Sequence, residues 1–171
     1  MVLKHYIDCM IVGKFHRLPN PLLDIGTGAG FPGIPLKIRY PHLEVILAEP
    51  RPRRVLFLKE AIKETGLTRI SVFDHKVVSR SFKRQVKGVI TRAVETMDKT
   101  FLRSSGAVGV GAELIFMKGP NVEEELAEFV NRFSDYVECI VDKAYVLPHT
   151  NLQRRLIIFS VKKRWEENYE G

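Results

Sequence analysis

The chain has 171 residues, enough for one core and short for two, so a single domain over 1–171 is expected. A composition of 45% hydrophobic and 27% charged residues, with no low-complexity tract, excludes a disordered chain. The apolar stretch YIDCMIVG near the start is too short to span a bilayer and carries Asp8, which argues against a membrane helix or secretory signal and for the cytoplasm.

The net charge of +7 is unevenly spread. Residues 51–103 hold 14 Lys/Arg against five Asp/Glu, whereas between Glu113 and Glu138 seven acids meet only Lys118 and Arg132. Such polarity is expected if one face meets phosphates and another meets water, although a solvated surface gives the same pattern. The two cysteines, Cys9 and Cys139, lie far apart without CxxC or Cys/His spacing. Both are read as reduced, buried thiols, and no metal site is expected.

In chain order, apolar runs of strand length alternate with segments of helical period, the pattern of a parallel sheet covered by helices. Strands are expected at Leu22–Ile25, Val45–Ala48, Ile70–Phe73, Gly88–Thr91, Glu113–Met117, Val137–Val146 and Leu156–Val161. Helices are expected at Ile34–Tyr40, Arg53–Thr65, Thr96–Ser105 and Val122–Phe133. The last puts Val122, Leu126, Phe129, Val130 and Phe133 on one stripe and begins with acids, which suit the positive end of a helix dipole. With no helix between the last two strands, the sheet should end in an antiparallel hairpin. The fold class is α/β.

The first strand runs into LLDIGTGAGFPGIPL, Leu22 to Leu36. A strand, a glycine turn and a helix present backbone amides and open space to a nucleotide. Gly28, Gly30 and Gly33, with Glu49 about 20 residues on, satisfy the dinucleotide fingerprint. Two details argue against NAD. Pro32 and Pro35 have no N–H for a pyrophosphate, and Asp24 repels a diphosphate while favouring a sulfonium or an amino group. S-adenosylmethionine carries both of those groups. Glu49 suits a ribose diol and does not discriminate.

These residues resemble the RsmG family, also called glucose-inhibited division protein B, the bacterial 16S ribosomal RNA guanine-N7 methyltransferases. The likeness is carried by LLDIGTGAGFPGIPLKI with its Phe31-Pro32-Gly33-Ile34-Pro35 extension, by RRVLFLKE, GVITRA with its arginine-alanine pair, FMKGPN and VLPHTNLQRRLIIFSVKK, and by LKHYIDC ahead of the loop. It runs along essentially the whole chain.

The resemblance implies a class I S-adenosylmethionine-dependent methyltransferase, Rossmann-like, with seven strands of which the last is antiparallel. It implies a core over 21–165 and, at 1–20, the remnant of an N-terminal helical segment that family members usually extend upstream. It places S-adenosyl-L-methionine against Gly26 and Phe31 in the loop, against Val77 and Val78, and against Arg92, which is also the candidate catalytic residue. Asp24 and Glu49 fit the methionine-side and ribose roles argued above, and Thr27, Gly28 and Gly30 are further cofactor candidates in the loop. The family often has an acid where Val78 stands, and Asp74 is the candidate replacement. The implied partner is 16S ribosomal RNA or the small ribosomal subunit, met by a monomer. Arg51, Arg53, Arg54, Lys118, Arg154 and Arg155 are candidates for holding its phosphates.

Guanine N7 has a lone pair and no proton, so the absence of a Ser/His/Asp or Cys/His arrangement is what this reaction predicts. An arginine clamped on N7 would occupy the reacting lone pair, so Arg92 is expected to hold cofactor, O6 or phosphate. As a structural residue it would instead pair with Glu95 or Glu49. Two other readings stay open: an NAD-dependent oxidoreductase, and a non-catalytic RNA-binding module on the same fold.

Overall fold

The computed structural model describes residues 2–82, 85–92 and 95–165, and only the backbone of residues 2–4. Ala93, the second half of the arginine-alanine pair, lies outside the described residues. The elements run α1 (Val2–Met10), α2 (Val12–Phe15), β1 (Leu22–Ile25), α3 (Gly33–Arg39), β2 (Val45–Ala48), α4 (Pro52–Thr65), β3 (Ile70–Phe73), β4 (Val86–Arg92), α5 (Met97–Ser104), β5 (Val108–Lys118), α6 (Glu123–Phe133), β6 (Val137–Val146) and β7 (Gln153–Val161). The strands form one sheet in the order β3-β2-β1-β4-β5-β7-β6. All neighbours from β3 to β5 pair in parallel, and β7 runs antiparallel to both β5 and β6. The closing hairpin is therefore present.

Alternation along the strands divides the core. Leu23, Ile46, Val89, Leu114, Phe116, Ile157 and Phe159 face one side, where they meet Met97 and Phe101 of α5 and Phe129 and Phe133 of α6. Leu22, Val45, Leu47, Ile90, Ile115, Leu156 and Ile158 face the other, against Val12, Leu36 and Leu58 of α2, α3 and α4. Because both faces are covered, every residue of β1 and β2 is buried; β2 reads as a continuous apolar run, and β1 as one broken only by Asp24.

Three expectations are corrected. β4, β5 and β7 start earlier than expected, at Val86, Val108 and Gln153. In β5 the added turns of chain contain Gly109 and Gly111, which interrupt the apolar run, and the pairing with β4 shifts register between Val86 and Gly88. Val130 is 39% exposed, so the buried stripe of α6 narrows to Val122, Phe129 and Phe133 with Leu126 at its margin. Cys139 is exposed because it lies on β6, the outer strand of the sheet, whereas Cys9 is buried and burial pushes its thiol up to about 12. Both thiols are free. Glu138, Asp142 and Lys143 on β6 discourage pairing with another chain along that edge.

Strand order reverses direction between β1 and β4, the place where an open α/β sheet leaves a crevice beyond the carboxyl ends of its strands. The glycine loop follows β1 at that crevice.

Candidate active site

The loop is organised from within by Asp24. Its Oδ2 accepts hydrogen bonds from Thr27 Oγ1 at 2.6 Å and from the Gly33 amide at 2.8 Å. The Gly26 and Thr27 amides donate to Ala48 O, those of Gly30 and Phe31 to Thr27 O, and that of Ile34 to Gly30 O. Of residues 26–35, six amides are thus turned inward and two residues are prolines, leaving only Gly28 and Ala29 with N–H groups not so committed. A pyrophosphate needs several converging amides. Gly28 and Gly30 take φ of 62° and 93°, left-handed values that a side chain would strain.

Gly33 answers a different need, since a Cβ added there would fall on Leu47 and close against Asp24. Gly33→Ala is expected to destabilise the protein by about 1–3 kcal/mol, because neither neighbour has room to withdraw. Urea unfolding measures this, and an unchanged midpoint would show that the approach is not tight.

Asp24 is fully buried, and its Oδ1 has no hydrogen-bond partner among the described residues. Burial pushes its carboxyl up to about 6, against the opposing hydrogen bonds from Thr27 and Gly33. An acceptor left bare inside a loop of this kind fits a cationic or amino-bearing ligand and not a diphosphate.

Beside the loop lies a cavity of about 380 Å³, walled by Gly26, Glu49, Arg51, Arg54, Val77 and Arg103 among others. Its size lies within the usual range of small-molecule sites. Glu49 is 3% exposed, with Oε1 accepting from the Arg51 amide at 3.0 Å and Oε2 from Arg54 Nη1 at 3.4 Å. These contacts fix the carboxylate at the carboxyl end of β2. His75, Lys76 and Arg103 also wall the cavity and were not picked out from the sequence. They carry no local motif there; the first two follow β3 in an irregular stretch and the third sits on α5.

The other candidates divide. Asp74 pairs with Lys59 at 3.4 Å and His75 at 2.8 Å, and neither it nor Val78, which is 50% exposed, walls this cavity. Arg92 walls a second cavity with Asp8, Lys118 and Arg154. Its ion-pair partner is Asp8 of α1, at 3.3 Å, in place of Glu95 or Glu49, which hold Arg103 and Arg54. The Arg92 guanidinium also lies 5.7 Å from the Phe31 ring centre, and Phe31 packs edge-on against Tyr6 at 5.1 Å. Phe31 thus joins the glycine loop to α1.

Among the proposed phosphate holders, Lys118 donates to Glu95 O and Glu125, and Arg155 is locked between Asp142 and Glu123. Arg154 reaches Asp8 at 3.4 Å. Arg51 and Arg53 are exposed at the start of α4, and Arg54 is half-exposed beside Glu49.

Strand order, hairpin and glycine loop together define a Rossmann-like class I methyltransferase fold. Solved structures agree: ribosomal protein L11 methylase from Lactobacillus delbrueckii subsp. bulgaricus superposes with a TM-score of 0.67 at 10% identity, covering 91% of this chain and 77% of that one. Magnesium protoporphyrin IX methyltransferase from Synechocystis PCC 6803, with bound SAM, gives a TM-score of 0.64 at 12% identity over 95% and 79%. The chain belongs to the GidB family, rRNA small subunit methyltransferase G, whose sequence profile matches residues 1–156. It is 45% identical over 159 residues to ribosomal RNA small subunit methyltransferase G 2 of Syntrophobacter fumaroxidans, and 39% identical over 159 residues to the protein of that name from Bdellovibrio bacteriovorus. Each likeness covers 93% of this chain, which spans 32% of the first relative and 62% of the second.

Proposed function

We propose that this chain binds S-adenosyl-L-methionine in the cavity beside the glycine loop and transfers its methyl group to guanine N7 in 16S ribosomal RNA. The observation that carries the reading is the loop itself, with its amides spent internally and a buried carboxylate oxygen left without a donor. This disfavours the NAD-dependent alternative, whose diphosphate would lack donors and meet a repulsive charge. Family membership supports the reaction and the substrate class.

S-adenosylmethionine, when bound, supplies a methyl group made electrophilic by its sulfonium. The chain's own residues have a limited task. Gly26 is the residue of the loop that walls the cavity, Thr27, Gly28, Gly30 and Phe31 lie outside its walls and would shape the loop beside it, and Glu49 would accept hydrogen bonds from ribose hydroxyls. Val77 would pack against the adenine, and the Asp24 charge would favour the cationic end. No side chain has to remove a proton, because guanine N7 carries none. What remains for the protein is alignment, which alone contributes several kcal/mol to such reactions. Arg51, which walls the cavity, and Arg53, exposed on the next turn of chain, would hold RNA phosphates. We read residues 1–171 as one domain acting as a monomer in the cytoplasm. Among the described residues no helix is long and apolar enough to cross a membrane.

The deciding experiment supplies labelled S-adenosylmethionine and small ribosomal subunits that lack N7 methylation, then analyses the RNA nucleosides. Labelled 7-methylguanosine is the expected product. Cofactor binding without label in the RNA would favour the non-catalytic RNA-binding module.

A further inference from the structure

The second cavity, of about 360 Å³, opens at the same end of the sheet, where α1 meets the ends of β4, β5 and β7. Its walls include His5, Asp8, Arg92, Met117, Lys118 and Arg154. Asp8 is only 4% exposed, yet it is the one carboxylate among those walls. It accepts from Arg92 Nη1 at 3.3 Å, from Arg154 Nε at 3.4 Å and from Tyr145 OH at 3.4 Å. Charge-assisted hydrogen bonds ordinarily close to about 2.7–2.9 Å, so all three donors hold the carboxylate at arm's length. A carboxylate has about four lone-pair directions, so three long contacts leave one open, and a guanidinium that turns from Asp8 to an incoming acceptor frees a second. Lys118 is spent on Glu125 and Glu95 O, so the cations beside Asp8 are the two arginines loosely paired with it.

We propose that this cavity receives the target base and that Asp8 identifies it as guanine, by accepting hydrogen bonds from the ring N1–H and the N2 amino group. The proposal rests on the methyl-transfer reading above and adds the means of base selection. Guanine pairs two adjacent donors with a neighbouring O6 acceptor, the complement of a carboxylate flanked by guanidinium groups. Adenine presents a bare N1 acceptor to the carboxylate and is repelled. Uracil offers one N–H, and cytosine none on its ring. Holding guanine by this edge also leaves N7, on the far side of O6, with its lone pair free.

The test titrates guanosine, inosine, adenosine and 1-methylguanosine monophosphates into the full chain saturated with S-adenosylhomocysteine, followed by equilibrium dialysis. Guanosine monophosphate is expected to bind at least about tenfold tighter than the adenosine nucleotide, in line with the discrimination that paired base contacts give. Inosine monophosphate, lacking the N2 amino group, should fall between them, and the 1-methyl nucleotide should bind as weakly as adenosine monophosphate. Asp8→Asn should erase the guanine preference while S-adenosylhomocysteine affinity is kept, with a lowered unfolding temperature because Arg92 and Arg154 lose their buried partner. Equal binding of the guanosine and adenosine nucleotides, or none of the former, overturns the proposal. Should the variant fail to fold, the four-nucleotide series on the wild type still decides. A wild type that does not bind S-adenosylhomocysteine overturns the underlying methyl-transfer reading instead.

Discussion

Replacing Arg92 by alanine is expected to lower methyl transfer at least about 100-fold, near 2.7 kcal/mol in the barrier, while cofactor affinity stays within about threefold. The split follows from position. Arg92 ends β4 and walls the cavity shared with Asp8, not the one beside Glu49. Its guanidinium touches three things that must stay in register for alignment: Asp8 and His5 of α1, and the face of Phe31 in the glycine loop. Stability should fall only about 1–2 kcal/mol, because Asp8 keeps Arg154 and Tyr145 as donors and is not left as a bare buried charge. Arg92→Lys should recover part of the rate, since it restores the charge but not the planar group that lies over Phe31. Single-turnover transfer and calorimetry with S-adenosylmethionine separate the effects. Equal losses in rate and cofactor affinity would move Arg92 to the cofactor cavity, and an unchanged rate would make it a structural tie for α1.

The features that were legible in the sequence are local ones. Leu22 through Pro35 carries strand, turn and helix start in one stretch, and the two prolines announce that the turn does not cradle phosphate. The strands were legible because buried parallel strands are largely apolar runs, as β2 is throughout and β1 is but for Asp24, whereas their order in the sheet was not. The meeting of Asp8, Arg92, Tyr145 and Arg154 was not legible, although one of the four was a catalytic candidate. They come from α1, β4, β6 and β7, and their contacts span from 84 to 146 residues of chain, so no periodicity or spacing links them. Charge counting failed in a related way. Lys118 and Arg155 are candidate phosphate holders on paper, but each is consumed by a carboxylate that the fold brings to it. From the sequence alone, Asp24 has one expected task, facing the cofactor's charge. In the structure one oxygen ties the loop together and only the other is left for that task.

That division makes Asp24 a pH-dependent element with a predictable sign. Its carboxyl is raised to about 6, chiefly by burial, so the folded protein binds the proton more tightly than the unfolded chain does. The stabilisation linked to that proton is complete below about pH 4 and is lost as pH rises through 6. Relative to Asp24→Asn, in which nothing titrates, the wild type should lose on the order of 3 kcal/mol between pH 4 and pH 7.5. Urea unfolding of both proteins at the two pH values measures this, and parallel behaviour would show that Asp24 is ionised throughout. Cofactor affinity should run the opposite way. A sulfonium and an amino group favour the ionised carboxylate, so S-adenosylmethionine should bind the wild type progressively more weakly below pH 6, approaching a tenfold loss per pH unit. The asparagine variant should bind more weakly at pH 8 and show a flatter profile. A carboxylate whose ionisation costs fold stability and is recovered on binding a cation would explain why an acid is kept at a fully buried position, where an amide would hold the Gly33 amide at lower cost. Identical affinity profiles for the two proteins would confine Asp24 to tying the loop.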